Sequence, residues 1–416
     1  MKVLSKPILP FVLTLVLVCF INCKPKKSEA KPDTEVFQQG TFGYDVLFIK
    51  EHFPNSFILT NGNNQILVTP ELQGRIMTST LKGSNGTSFG WINHNYIASG
   101  ETSDQFNPVG GEERFWIGPE GGQFSIYFKP GASFDFANWK VPDVIDTEPF
   151  DLSSKTTTEA RFKKETQFIN HSGNTFQLEI DRTIRLLDQS GVAEALNTTI
   201  PKGIQVIGFE SENSITNTGN SEWTKESGML SIWILSMFKP SDNTVVTVPF
   251  KTGEVETLGK IVTDDYFGKV PADRLKVSDS VLYFKADGKK RSKIGLSPKR
   301  ALPIMGSFDP DNNILTIAQF TIEKNQFDYV NSLWKVQEHP FLGDAINSYN
   351  DGPLDDGGQL GPFYELESSS RAANLEPNGT ITHHHRTFHL TGEEQQLNDL
   401  CKKLLHTTLD EIKNAF

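Results

Sequence analysis

The sequence predicts an all-β protein, a large antiparallel sandwich with a single helix at its C-terminal end. Three observations carry this. Apolar and polar residues alternate with period two over long stretches, which sorts side chains onto opposite faces of strands. Glycine- and proline-containing turns separate these stretches from about residue 36 to residue 390, with no linker between them. A helical spacing of apolar residues is clear only beyond Thr391. The chain has 416 residues, enough to fill two stacked sheets of many strands as one domain.

The chain begins with Lys2 and Lys6, followed by the apolar stretch Pro7–Phe20. That stretch is too short and too interrupted by proline for a membrane span, and it fits an export signal. It ends at Phe20-Ile21-Asn22-Cys23, which resembles a bacterial lipobox, so Cys23 is the expected lipidation site. An ordinary secretory signal is the alternative. Residues 1–23 are therefore assigned to a lipoprotein signal peptide, and the polar, proline-containing residues 24–35 to a flexible tether. Residues 36–416 form the folded domain. The expected location is outside the cytoplasm, held to the bacterial cell envelope by lipid. Cys19 leaves with the signal and Cys23 carries lipid, so Cys401 stands alone and no intramolecular disulfide is expected. The net charge of -11 argues against nucleic acid as a partner. Thirty Phe and six Trp fit a β core, and also fit stacking on the apolar faces of sugars.

The elements follow in order. Gln65–Thr69 turns through Pro70–Gly74 and returns along Arg75–Leu81. Phe176–Leu186 alternates regularly and puts Arg182 on its apolar face, where it needs a carboxylate or a ligand. Val281–Lys285, the turn Ala286-Asp287-Gly288 and Arg291–Leu296 read as a hairpin. Ile314–Ile322 is a further apolar strand. Tyr364–Leu390 reads as two strands joined by a turn. On the first, Glu365, Glu367 and Ser369 share a face; on the second, His383, His385, Thr387 and His389 do. Thr391 and Glu394 suggest a capping box for a helix over 392–414, with Leu397, Leu400, Cys401, Leu404 and Ile412 buried.

Four groups carry candidate chemistry. His383 and His385, with Glu365 or Glu367, could hold a divalent metal, hydrogen-bond ligand hydroxyls, or form a structural network. Glu112-Glu113-Arg114 lies between glycine pairs with Trp116 and Glu120 close by, and fits either sugar recognition or a turn braced by a salt bridge. Asn350-Asp351-Gly352 with Asp355-Asp356-Gly357-Gly358 could bind hydroxyls or calcium, or be a plain turn. Arg291 and Lys293 share a strand face and fit either contact with an acidic ligand or, more often, a solvated face. No phosphate-binding glycine loop occurs.

Val68-Thr69-Pro70-Glu71-Leu72-Gln73-Gly74-Arg75-Ile76 is similar to the first hairpin of the galactose mutarotase-like superfamily. Gly110–Trp116 with Gly118–Gly122, Asn347–Pro353 and the Glu365 strand also have counterparts there. Together with the lipobox, residues 40–390 look like an uncharacterised family of exported bacterial proteins with that fold. The resemblance implies a β-supersandwich that binds carbohydrate. In the epimerases of that group a glutamate takes a hydroxyl proton while a histidine donates one to the ring oxygen. The glutamate corresponds to Glu365, or to Glu367 if the assignment slips by one pair. The histidine has no counterpart, because Trp233 stands in the matching region; His383, His385 or His94 are the substitutes available. Arg75, Glu113, Arg114, Trp116, Arg182, Trp233, Asn350 and Asp351 are the expected substrate contacts. The leading expectation is a carbohydrate-processing lipoprotein with a strand glutamate in proton transfer and no cofactor. The alternatives are a non-catalytic carbohydrate-binding lipoprotein and a metal-dependent enzyme using His383 and His385.

The lipobox reading has a direct check. The Cys23→Ala variant is expected to lose incorporation of labelled fatty acid and to leave the membrane pellet; retention of both would refute it.

Overall fold

The computed structural model describes residues 36–354 and 357–416. The signal segment, Cys23, the tether and the Asp355-Asp356 pair of the acidic loop lie outside the described residues. Helix α1 (Phe42–His52) precedes a sheet of β1 (Phe57–Asn61), β2 (Asn64–Thr69) and β3 (Arg75–Thr80). Then follow α2 (His94–Ser99), β4 (Arg114–Gly118), α3 (Asp143–Asp146), β5 (Asp151–Lys155), β6 (Glu159–Ile169), β7 (Thr175–Leu186), α4 (Gln189–Ala195), β8 (Ile204–Asn217), β9 (Ser231–Phe238) and β10 (Val245–Pro249). The chain continues through α5 (Val255–Leu258), β11 (Leu275–Val277), β12 (Val281–Lys285), β13 (Ser292–Leu296), β14 (Ile304–Asp309), β15 (Ile314–Phe320) and β16 (Ile346–Asn350). It ends with β17 (Tyr364–Ser369), β18 (Thr380–Gly392), α6 (Glu394–Leu405) and α7 (Leu409–Lys413).

Ten strands pair in the order β11-β12-β10-β14-β15-β18-β8-β7-β6-β5, and five in the order β13-β16-β17-β9-β4, all antiparallel. The all-β fold expected from the sequence is the fold observed, but α1 to α5 add to the single C-terminal helix expected. Alternation explains how the sheets pack. Ile232 and Ile234 of β9 share one apolar cluster with Ile180 and Ile184 of β7 and with Phe209 and Ile215 of β8. A second cluster joins Leu366 of β17 and Ile346 of β16 to Val246 of β10 and Phe284 of β12. The other face of the larger sheet is covered by helices: Leu397, Leu400, Cys401 and Leu404 of α6 pack on Ile317, Phe388 and Leu390. Cys401 is fully buried, which pushes its thiol up to about 12 and makes it a packing residue. Among the described residues no helix is long and apolar enough to cross a membrane.

Three expectations about connectivity need correction. Tyr364–Leu390 is not a hairpin. β17 pairs with β16 and β9, whereas β18 pairs with β15 and β8 in the other sheet. Val281–Lys285 and Ser292–Leu296 also part, one to each sheet. In both cases the apolar pattern shows which face is buried, and cannot show which strand lies beside it. The C-terminal helix is two helices, not one over 392–414. Gly392 still belongs to β18, and Glu393, the actual N-cap, makes no side-chain cap bond. His406 adopts a left-handed φ of 60°, and Thr408 starts α7 with a full capping box to Glu411. The β2–β3 hairpin forms as expected, turning through left-handed Gln73 and Gly74.

Arg182 projects into the inter-sheet space, where it is fully buried. Its Nη2 donates to Glu113 Oε1 at 2.8 Å and its Nη1 to Asn213 Oδ1 at 2.5 Å. Burial pushes Glu113 up and Arg182 down, each against the attraction of the other. Removing one partner strands a buried charge. Arg182→Met is therefore expected to cost about 3–5 kcal/mol in urea unfolding, with much of the loss recovered in Arg182→Met/Glu113→Gln. Equal stability of wild type and single variant would show that the pair carries no such constraint.

Candidate functional site

The face of the five-stranded sheet turned away from its partner sheet carries the candidate site. Directly opposed residues on antiparallel strands project to one side, so the registers place the side chains. Arg114, Leu235, Glu367 and Asn347 form one row across β4, β9, β17 and β16. Met237, Glu365, Tyr349 and Lys293 form the next, running on to β13. Trp116, Trp233 and Ser369 form a third.

Arg114 Nη2 donates to Glu365 Oε1 at 2.6 Å. Lys293 Nζ and Trp233 Nε1 both donate to Glu367 Oε2, each at 2.9 Å. The Arg114 guanidinium lies 5.1 Å from the Trp116 ring and the Lys293 ammonium 5.0 Å from the Trp233 ring. The two indoles meet edge to face at 5.5 Å. Arg114 Nε and Trp116 Nε1 are buried and have no hydrogen-bond partner among the described residues. Solvent contact is small, with side-chain exposures of 13 % at Lys293, 7 % at Glu365 and 4 % at Arg114. Glu120 approaches from the segment after β4 and accepts from Trp334 Nε1 at 3.3 Å. Asp344, just before β16, accepts from Tyr266 Oη at 2.5 Å, and Asn347 Nδ2 donates to the same hydroxyl at 3.0 Å.

Burial dominates the electrostatics here. It pushes the Glu365 carboxyl up to about 8; Arg114 and Lys293 pull against the rise, while Glu367 adds to it by charge and by a shared hydrogen bond. Burial also raises Glu120 and Asp344. For Lys293 burial acts downward, but Glu367, Glu365 and Glu120 together outweigh it and hold the ammonium above its ordinary value. The face thus holds a carboxyl that keeps its proton through neutral pH beside a carboxylate in an ion pair. Such a pair can give a proton and take one.

Glu365, Glu367, Arg114, Trp116 and Trp233, singled out from the sequence, come together on this face. His383 and His385 do not join them, and this corrects the shared face expected for carboxylates and imidazoles. Both are fully buried between the sheets and hydrogen-bond Ser368 Oγ, through His383 Nε2 at 2.8 Å and His385 Nδ1 at 2.9 Å. Ser368 points inward and Glu367 outward because neighbours on a strand alternate. Burial lowers His383 to about 3 and His385 well below its ordinary value, so both are neutral. Glu113 and Arg182 pair with each other between the sheets, away from this face. Arg75 is buried and donates to the carbonyl of Gly110 and to Gln73. Asn350 and Asp351 brace their own loop: Asn350 binds Gly288 N and Lys290 O, and Asp351 accepts from Tyr349 Oη and Gly361 N. His94 pairs with Asp45 at 2.7 Å beside α1. Lys293, read from the sequence chiefly as one of a solvated pair, joins the site at Glu367. Sharing a face with Arg291 looks the same for a solvated pair and for a lysine beneath covering loops.

Among the described residues His383 and His385 belong to no group with three metal-ligand atoms in reach of one another. A different histidine, His384, has one with Glu210 and Glu212, within 4.8 Å, on the opposite face of the larger sheet. Arg386 and Arg185 already engage both carboxylates there.

A family model matches residues 40–416. The chain belongs to a family of unknown function, DUF6786. This agrees with the uncharacterised family expected from the motifs. No curated protein matches the chain in sequence. Among solved structures it is similar to the Slr1438 protein of Synechocystis sp. PCC 6803, at 12 % identity, 81 % of this chain, 96 % of that one and a TM-score of 0.49. It is also similar to a galactose mutarotase-like protein from Lactobacillus casei ATCC 334, at 11 % identity, 82 % and 100 % coverage and a TM-score of 0.44. A galactose mutarotase related enzyme from Lactobacillus acidophilus matches at 8 % identity, 81 % and 97 % coverage and a TM-score of 0.43.

The raised Glu365 has a consequence for stability. The folded protein keeps this proton to about pH 8, whereas an ordinary glutamate releases it near 4.5. The stabilisation it contributes is therefore full below 4.5 and is lost as pH rises through 8, by up to about 1.4 kcal/mol per pH unit. Urea midpoints between pH 5 and 8 are expected to fall more steeply for wild type than for Glu365→Gln. Parallel curves would show an ordinary carboxyl.

Proposed function

We propose that this protein binds a carbohydrate and acts on it by proton transfer between Glu367 and Glu365. One observation carries the reading: an acid–carboxylate pair on one strand, walled by two indoles, with buried N–H groups left open at Arg114 and Trp116. Indole faces suit the apolar faces of a sugar ring, and open donors suit its hydroxyl oxygens. Glu367, in its ion pair with Lys293, takes the proton from the anomeric hydroxyl. Glu365 gives its proton to the ring oxygen. The carbon–oxygen ring bond breaks, the former hydroxyl becomes a carbonyl, and the reverse transfer recloses the ring on either face. The pair supplies both acid and base, so no histidine is required, and the base is Glu367 in place of the Glu365 favoured by resemblance. On the same reading Cys23 holds the protein to the cell envelope.

Exchange between anomers, followed by NMR for a panel of free sugars, tests this. Acceleration of at least one sugar is expected, reduced about 10²-fold or more in both Glu365→Gln and Glu367→Gln. Line broadening without acceleration would mean binding alone. The absence of both would refute the reading for free sugars.

A further inference from the structure

Two glutamates two residues apart on one strand face are chemically alike, and something outside the pair must decide which holds the proton. We infer that Lys293 is a positioning residue that makes Glu367 the base and leaves the acidic proton on Glu365. This rests on the proton-transfer reading above and assigns its regulation within the site.

The geometry makes the asymmetry. Lys293 starts in the cross-strand row of Glu365, through Tyr349. Its ammonium crosses to the next row and donates to Glu367 Oε2. There it joins Trp233 Nε1, so one carboxylate oxygen receives two N–H donors. Glu365 receives Arg114 alone. The ammonium is held in this position by two rings, Trp233 at 5.0 Å and Tyr266 at 5.7 Å. The other charged and titratable groups around the pair and its lysine are Arg114 from β4, Tyr349 from β16, Glu120 from the segment after β4, Tyr266, and Asp344 from the segment before β16. Arg114 serves Glu365, and none of the others is a cation that could replace Lys293 at Glu367. Without the ammonium, Glu367 keeps one neutral donor while Glu365 keeps a guanidinium, so the shared proton moves to Glu367 and the two roles exchange.

Carbon-13 NMR of the glutamate side-chain carboxyls tests this without any substrate. The two resonances are assigned in the purified protein by Glu365→Gln and Glu367→Gln. In wild type at pH 7 the expected state is a protonated Glu365 and an ionised Glu367. In Lys293→Met the protonated signal is expected to move to Glu367, and in Lys293→Arg to return to Glu365. In Trp233→Phe, Glu367 is expected to stay ionised, because Lys293 suffices; this variant also decides the matter if Lys293→Met does not fold. A proton that stays on Glu365 in Lys293→Met, or that moves to Glu367 in Trp233→Phe, overturns the role of Lys293 and leaves the proton-transfer reading standing. Two ionised carboxyls in wild type at pH 7 overturn both.

Discussion

The structure depends on the register of β17 against the larger sheet. Ser368 sits between His383 and His385, and its hydroxyl binds both rings across the inter-sheet space. Tyr364 reaches Ser307 in the same space at 2.8 Å. These bonds commit the even residues of β17 to the interior and the odd ones to the other face. A slip of one residue would bury Glu365 and Glu367 among the imidazoles and turn Leu366 outward. Because side chains alternate, the buried polar seam sets the direction in which the two glutamates point.

A second device ties the small sheet to its surroundings. Glu112, Glu113 and Arg114 are consecutive, and each meets a buried partner on a different strand: His389 on β18, Arg182 on β7 and Glu365 on β17. Buried polar and charged groups lose much hydration, so such contacts are poor sources of net stability. They do penalise every arrangement in which a partner is missing. Three in succession leave β4 little choice of neighbour, and this places Arg114 and Trp116 beside the glutamates.

The proposed function depends on the low solvent contact of the outer face. In water Glu365 and Glu367 would both be ionised at neutral pH and neither could serve as an acid. Under the covering segments that bring Glu120, Tyr266 and Trp334, desolvation pushes the Glu365 carboxyl up to about 8. On the proposed reading the loops contribute by excluding water, while β17 supplies the reacting groups.

The sequence by itself determined the strand class, the faces of β7, β17 and β18, the buried arginine and the family to which the chain belongs. These are local properties: period-two alternation is readable wherever half of a strand is buried, and the motifs are contiguous. Glu365 and Glu367 were legible as a pair for that reason, and Arg114 with Trp116 for the same one. Tertiary structure alone decided that β17 and β18 lie in different sheets, that His383 and His385 support the site from behind, and that Lys293 completes it. Each of these turns on which distant strand lies alongside, a choice made by packing and buried polar partners summed over the whole domain. The hydropathy of one segment does not encode it.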